Sequence, residues 1–512
     1  MTDRREEFSI ILKDRSPYEQ TTRKTRGWNK TLMITGICAT LGSANVAGYN
    51  IGVINAPSQY IREWANQTVY DNYNMVLTET GADLLLSFIV SVFLVGGAVG
   101  SLGGSFVADR IGRKGSYLVC VILFIIGSLS FQFCRALSSV ELLFIGRFCV
   151  GLASGITTSC LPMYLSEIAP LQLRGTLGVF CSMGVTGGVV VGQIFSLQQI
   201  FGTQDLWHVS LSFQLVFLIL CTLPYRMFPE SPKYLYSITS DRSGAMRELK
   251  KLCDDNEMAL EEMELMEPTD EASDEKRSIA SVLSDPKLLL PLVLVCAMQG
   301  GQQLSGINAV FYYSVSIFKS IGFSSENAKW ANLGAGCLNL FVSFFSPILM
   351  EKVNRRPLML TSCLGCGVFL LLISVFNSFA VSSPVLPAMC VVALLGYILV
   401  YQIGLGPIPF FAASELFEVG PRPVAMSMGS LSSWFFNFMV GMTFPTLQRI
   451  MGASVFIIFS MVCVLLAALL KFFMPETRGK DTSEISQRVS NGFRSRPVDN
   501  NPLNTAEFLE SF

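Results

Sequence analysis

The chain has 512 residues, 51% of them hydrophobic and only 15% charged, with a mean hydropathy of +0.48 and a formal charge of −1. That much apolar side chain cannot be hidden inside a soluble globule, so the composition requires a polytopic membrane protein with the lipid bilayer as its solvent. The balanced charge offers nothing to attract nucleic acid, and the single histidine, His208, gives no basis for a histidine-built metal or general-base site.

No cofactor or metal is expected. The 14 cysteines fall almost wholly within apolar runs, the distribution of small buried hydrophobes rather than of a disulfide framework. Cys363 and Cys366 have a redox spacing but lie inside such a run.

Residues 1–30 are polar, with a basic cluster at Arg23, Lys24, Arg26 and Lys30, and read as an N-terminal tail. The first apolar run, 31–54, is too long for the core of a cleavable signal. Further runs follow at 84–108, 116–134, 140–163, 176–200 and 206–226, completing a first half at 31–226. A charged stretch at 229–286 interrupts the pattern, and 227–286 is expected to be a linker containing short helices. Runs near 288–318, 328–350, 357–380, 386–412, 423–447 and 452–474 make a second half at 287–474, and a polar tail occupies 475–512. Each run is long enough to cross a hydrocarbon core of ~30 Å. The expected fold is therefore all-α, with twelve transmembrane helices in two six-helix halves and both termini on one side.

Charge asymmetry assigns that side. Asp109-Arg110-Ile111-Gly112-Arg113-Lys114, Arg174, the 229–286 segment, Glu351 to Arg356 and Arg422 share a face with the basic N-terminus. The opposite loops hold few lysines or arginines, so the charged face is expected to be cytoplasmic. The 55–83 loop is then external, and its Asn66-Gln67-Thr68 offers Asn66 as an N-glycosylation acceptor.

The chain repeats itself. Asp109 with Arg113 is echoed by Glu351 with Arg355, and Glu167 before Arg174 by Glu415 before Arg422. Pro229-Glu230-Ser231 is echoed by Pro475-Glu476-Thr477, and the three offsets, 242, 248 and 246, indicate one duplication of a six-span unit. Parallel six-span repeats are how major facilitator transporters are built, with the substrate site between the halves near the midplane. Asp109, Arg110, Arg113, Glu167, Arg174, Glu351, Arg355, Arg356, Glu415 and Arg422 are accordingly candidate gating residues, able to pair at the cytoplasmic seam while the cavity opens outward. They also serve as orientation determinants.

The stretch Gln302 to Tyr313 carries the least lipid-compatible residues of any run: Gln302, Gln303, Ser305 and Asn308. Hydrocarbon offers them no hydrogen-bond partner, so they must face the bundle interior or water. Gln303 and Asn308 lie about 140° apart on an ideal helix, and Gly306 between them lets the backbone flex. Interhelical glue is one use of such amides. A cavity for a polar, uncharged ligand is the other.

Together, Arg110-Ile111-Gly112-Arg113-Lys114, Gly146-Arg147-Phe148, Pro162 to Glu167, Pro229 to Lys233, Gln302 to Tyr313, Gly406-Pro407-Ile408-Pro409, Gly420-Pro421-Arg422-Pro423 and Pro475 to Gly479 closely resemble the facilitative glucose transporters, the sugar porters of the major facilitator superfamily. The resemblance covers essentially the whole chain. It implies a sugar site built from Gln302, Gln303, Asn308, Asn339 and Asn437, with aromatic lining from Phe311, Tyr312, Tyr313 and Trp434. Tyr312 and Tyr313 are also candidate gating residues. Four positions depart from the glucose-carrying pattern, since Ser182, Phe410, Ser433 and Gln402 stand where the family offers glutamine, tryptophan, asparagine and glutamate. Ser182 and Phe410 are retained as candidate ligands; the phenylalanine keeps an apolar face for a pyranose but lacks the indole N–H.

Proton-coupled relatives of this family carry an aspartate at the position of Asn50, and asparagine cannot titrate. No Asp, Glu or His lies mid-span, and there is no phosphate-binding loop for ATP. The expected function is thus facilitative uniport of a hexose, glucose first, across the plasma membrane by alternating access. Carriage of fructose, dehydroascorbate or urate, proton symport, and a non-transporting sensor are the alternatives. No enzymatic activity is expected.

Overall fold

The computed structural model describes residues 27–253, 255–264, 266, 277–310, 324–379, 385–480, 482–489 and 492–495. Every regular element among them is helical, and twelve helical spans can be followed. Span 1 is Lys30–Gly52, span 4 Val140–Ile168, span 5 Arg174–Phe195 and span 6 Trp207–Met227. Span 7 is Pro286–Val310, span 8 Trp330–Lys352, span 9 Arg355–Ser378 and span 10 Leu386–Leu416. Span 11 is the 30-residue helix Arg422–Met451, and span 12 is Val455–Phe473. Spans 2 and 3 lie within the 56-residue helix Glu79–Cys134 and meet at Gly112, whose φ of 82° and ψ of 176° break it. An L side chain at that φ is strained, and a Cβ there would come within 2.4 Å of the Glu230 carboxylate. The chain is therefore an all-α bundle whose spans are long and apolar enough to cross a bilayer.

The faces sort by solvent. Phe106, Val392 and Leu465 are largely exposed, as lipid-facing side chains should be, while Ser427, Ser430 and Asn437 along span 11 are buried against other spans. Where two spans must touch, small residues permit it. A Cβ on Gly155 of span 4 would lie 2.0 Å from the Gly97 carbonyl of span 2, so these backbones are in direct contact. Spans 2 and 4 of the first half pack along span 11 of the second, and span 5 along span 8. Those pairs form the interface between halves.

Two spans are broken where the sequence places glycine. Span 7 runs as a helix to Leu304, turns at Ser305 and Gly306, whose φ is 84°, and resumes at Ile307. Span 10 stops at Ile403 and restarts at Ile408. The segment read as an external loop, 55–83, is itself partly helical at Ser58–Tyr73, and Asn66 sits half-buried on that helix. Between the halves, helices Arg242–Leu252 and Asn256–Glu264 hold a separate small core of Ala245, Leu249, Cys253, Ala259 and Met263. Asp241 caps the first, accepting a hydrogen bond from the Gly244 amide at 2.8 Å. All fourteen cysteines are free thiols.

Candidate functional site

Spans 1, 4, 5, 7, 8, 10 and 11 enclose a cavity of about 120 Å³ between the halves, room for a small solute rather than for one water. All eight expected ligand residues, Ser182, Gln302, Gln303, Asn308, Asn339, Phe410, Trp434 and Asn437, reach its wall. Tyr312 and Tyr313, with Phe311, lie outside the described residues. Among the described lining residues none is Asp, Glu, Lys, Arg or His. The described wall is mostly apolar, interrupted by a set of neutral amides and hydroxyls.

Its amides divide into two groups. Gln302 and Gln303 are already engaged by the protein. Gln302 Nε2 donates to the Leu405 and Gly406 carbonyls at 2.9 and 2.7 Å, satisfying the acceptors that the break in span 10 leaves free. Gln303 Nε2 donates to Ser433 Oγ at 2.8 Å, and its Oε1 accepts from Asn308 Nδ2. The turn at Gly306 brings Asn308 back onto Gln303, which a straight helix would hold apart. Asn339 Oδ1, Asn437 Oδ1, Gln299 Nε2 and Gln402 Nε2, by contrast, are buried without a protein partner. Two acceptors and two donors thus line a cavity of sugar size with their hydrogen-bonding capacity unspent, and leaving such groups unmatched costs about 1–3 kcal/mol each.

Gln299 was not singled out by the sequence, although it lies three and four residues before Gln302 and Gln303, on the same helical face. Thr158, also on the wall, had no sequence signal of its own; it accepts the Trp434 indole N–H at 3.1 Å from the other half. Ser182 spends its hydroxyl on the Val179 carbonyl at 3.0 Å.

The seam where the repeat motifs converge is closed by buried ion pairs. Arg113 pairs with Glu167 at 2.9 Å, and Arg422 reaches across from the second half to the same carboxylate at 3.2 Å. Asp109 stands 3.8 Å from Arg113. In the second half Arg355 pairs with Glu415 at 3.3 Å, and Thr477 also donates to Glu415. The two halves use one further device that the sequence showed as a repeat without a role. The Glu230 carboxylate accepts the main-chain N–H groups of Arg113 and Lys114, and Glu476 accepts those of Arg355 and Arg356. Each carboxylate thereby satisfies the orphan donors of a helix start. Burial pushes the Glu230 carboxyl up from its ordinary range, opposed by those backbone donors.

Not every expected gating residue joins the seam. Arg110 is exposed and lies 5.5 Å from the Phe106 ring on its own helix. Glu351 is exposed, and its main-chain carbonyl accepts from Arg478 at 2.6 Å. Arg356 donates to the Lys471 carbonyl, within its own half. Arg174 makes no ion pair within 4.0 Å among the described residues, so the duplication is not matched by a symmetric pair of cross-seam bonds.

Asn50 is wholly buried but is not on the cavity wall. Its side-chain amide donates to the Val46 carbonyl at 2.9 Å and to Gln214, and its main-chain carbonyl accepts from Arg147 at 3.1 Å.

A family described as "Sugar (and other) transporter" matches residues 35–488. The facilitated glucose transporter member 1 of solute carrier family 2 from Gallus gallus is 35% identical over 466 residues, spanning 91% of this chain and 94% of its own. Member 3 from Homo sapiens is 35% identical over 450 residues, spanning 88% and 90%. Among solved structures, the proton:xylose symporter XylE bound to 6-bromo-6-deoxy-D-glucose superposes with a TM-score of 0.75 at 23% identity, over 89% of this chain and 98% of that one. At that identity the likeness concerns the fold.

Proposed function

The chain belongs to the sugar-transporter family of the major facilitator superfamily, whose members move solutes rather than transform them, and from that premise we propose that it is a facilitative hexose uniporter. The observation that carries this reading is the cavity itself, uncharged among the described residues and lined by buried amide donors and acceptors with no protein partner. Neutral hydroxyls match such groups; an anion such as urate would find no opposite charge to repay its desolvation. Glucose is the first cargo to test, in keeping with the relatives named as glucose transporters.

The mechanism follows from two interfaces in one molecule. The buried pairs of Arg113, Glu167 and Arg422 hold the charged face shut while cargo occupies the cavity. Rocking the halves must break the Arg422–Glu167 bond and expose the cavity to the other side. A proton-driven cycle needs a titratable group in the path, and Asn50 with its neutral partner Gln214 supplies none. We place the charged face in the cytoplasm with both termini, the protein in the plasma membrane, and a glycan on Asn66 outside.

Labelled-glucose uptake into proteoliposomes, with and without an imposed proton gradient, tests the proposal. Equilibration to equal concentrations that ignores the gradient is the expected result. Accumulation driven by the gradient overturns uniport, and binding without flux overturns transport.

A further inference from the structure

From the cavity wall toward the ion-paired seam, the halves are joined by hydroxyls that no part of the transport mechanism above uses. Ser430 of span 11 hydrogen-bonds Thr158 of span 4 at 2.6 Å and Ser101 of span 2 at 2.8 Å. One turn further along span 11, Trp434 donates its indole N–H to the same Thr158 oxygen at 3.1 Å. Ser101 and Ser430 are fully buried, and Thr158 and Trp434 nearly so, both on the cavity wall. Thr158 precedes Glu167 by nine residues and Ser430 follows Arg422 by eight, so the network lies roughly 12–14 Å along its helices from the ion pairs, at 1.5 Å rise per residue. It is a second, uncharged tier of contact between halves.

One assignment of the hydroxyl hydrogens saturates Thr158. A hydroxyl has one hydrogen and two lone pairs. Thr158 donates its hydrogen to a carbonyl of its own helix, Ser154 or Gly155, both at 3.1 Å. Its two lone pairs are then taken by the Trp434 N–H and the Ser430 O–H. Ser430 then accepts from Ser101, whose hydrogen also lies 2.8 Å from the Gly97 carbonyl of its own helix. The spans are also pressed together here, since a Cβ on Gly97 would meet the Trp434 ring at 2.5 Å. Separating span 11 from spans 2 and 4 therefore breaks all three cross-half bonds together. In that arrangement a ligand hydroxyl that donates to Thr158 displaces one of its two cross-half donors.

Resting on the reading of this cavity as a hexose site, we propose that Ser101, Thr158, Ser430 and the Trp434 N–H form a hydroxyl latch holding the halves closed beneath the cavity, and that the bound sugar loosens it by competing for Thr158. Occupancy of the cavity is thereby linked to release of the seam. Thr158 and Ser430 are positioning residues in this scheme: they fix the Trp434 ring against the sugar and set the closed-to-open balance. The ion pairs alone would hold the seam shut whether or not cargo was present.

The test reads the halves directly, so it does not depend on cargo being carried. Spin labels on unnatural side chains replacing the exposed Gln172 and Lys352 of the full-length protein in liposomes report the separation of the halves at the charged face. Thr158→Val keeps the shape and removes the hydroxyl; Ser430→Ala removes the bridge. Each should raise the open-to-closed ratio roughly five- to tenfold without sugar, the size of one or two lost hydrogen bonds. Trp434→Phe should act like Thr158→Val and add little to it, while Thr158→Ser should remain closed. Glucose should lengthen the distance in the parent, and by less in Thr158→Val. Unchanged distances in both Thr158→Val and Ser430→Ala overturn the latch. Equal glucose responses in parent and Thr158→Val overturn the competition. If the latch variants open but no hexose is taken up or alters the parent distance, the hexose reading and the competition built on it fail, while the latch stands.

Discussion

At the scale of single residues, the amides of this cavity differ in what their removal exposes. Gln303 serves both Ser433 and Asn308, so Gln303→Leu strips a candidate sugar contact and orphans two protein groups. Losing that contact should weaken hexose binding by about 1–3 kcal/mol, with further loss from the disturbed turn. Gln299 Nε2 has no protein partner, so Gln299→Leu should weaken binding by a comparable amount while leaving thermal stability and surface expression unchanged. Concentration-dependent uptake, set beside surface labelling, separates the two. Unaltered affinity in both variants would remove this cavity from the sugar's path.

At the scale of elements, span ends carry the conformational work. Carboxylates from distant motifs tie down the starts of spans 3 and 9, Glu230 at Arg113 and Glu476 at Arg355, and the broken spans 7 and 10 meet through Gln302. The asymmetry between Arg422 and Arg174 makes a prediction that the repeat alone does not. Arg422→Ala removes the cross-seam partner of Glu167 but leaves Arg113 paired with it, so the cost is that of one charge-assisted hydrogen bond, about 1.5–3 kcal/mol. The variant should therefore favour the state open at the charged face and bind an opposite-side inhibitor more weakly. Arg174→Ala should shift the same probe far less. Equal effects would mean that Arg174 engages elsewhere in the cycle. Gly112→Ala should lower yield or stability, since it forces φ 82° on an L side chain and crowds Glu230; a thermal-melting comparison with wild type checks this.

For the whole molecule the question is coupling. With no acid, base or histidine on the described cavity wall, the uptake rate should be nearly flat between about pH 6 and 8, where an unperturbed histidine is the side chain that titrates. A weakly buffered suspension followed with a pH electrode should show no proton entering with the sugar. Asn50→Asp would place a carboxylate at a fully buried position whose side-chain oxygen has no protein partner, where ionising it costs desolvation. The variant should acquire pH-dependent flux without accumulating sugar uphill, because Asn50 lies off the cavity wall and its charge state has no direct contact with cargo. Uphill accumulation by that variant would show that one residue suffices for coupling.

The sequence by itself determined the twelve-span bundle, its duplication and its family, because span length and apolar composition answer to bilayer thickness and the motifs repeat at nearly constant offsets. It also marked the amides of span 7, since polar groups in hydrocarbon must face inward. What only the tertiary structure decided is which of those amides remain free: Gln302 is committed to the break in span 10 and Gln303 to Ser433, whereas Gln299, Asn339, Gln402 and Asn437 keep unpartnered atoms. Partners more than a hundred residues apart leave no trace in local pattern. For the same reason the cross-seam asymmetry and the Ser101–Ser430–Thr158 network were illegible in advance. A serine in an apolar span looks the same whether it bonds its own helix or the opposite half, and the packing of spans 2, 4 and 11 decides which.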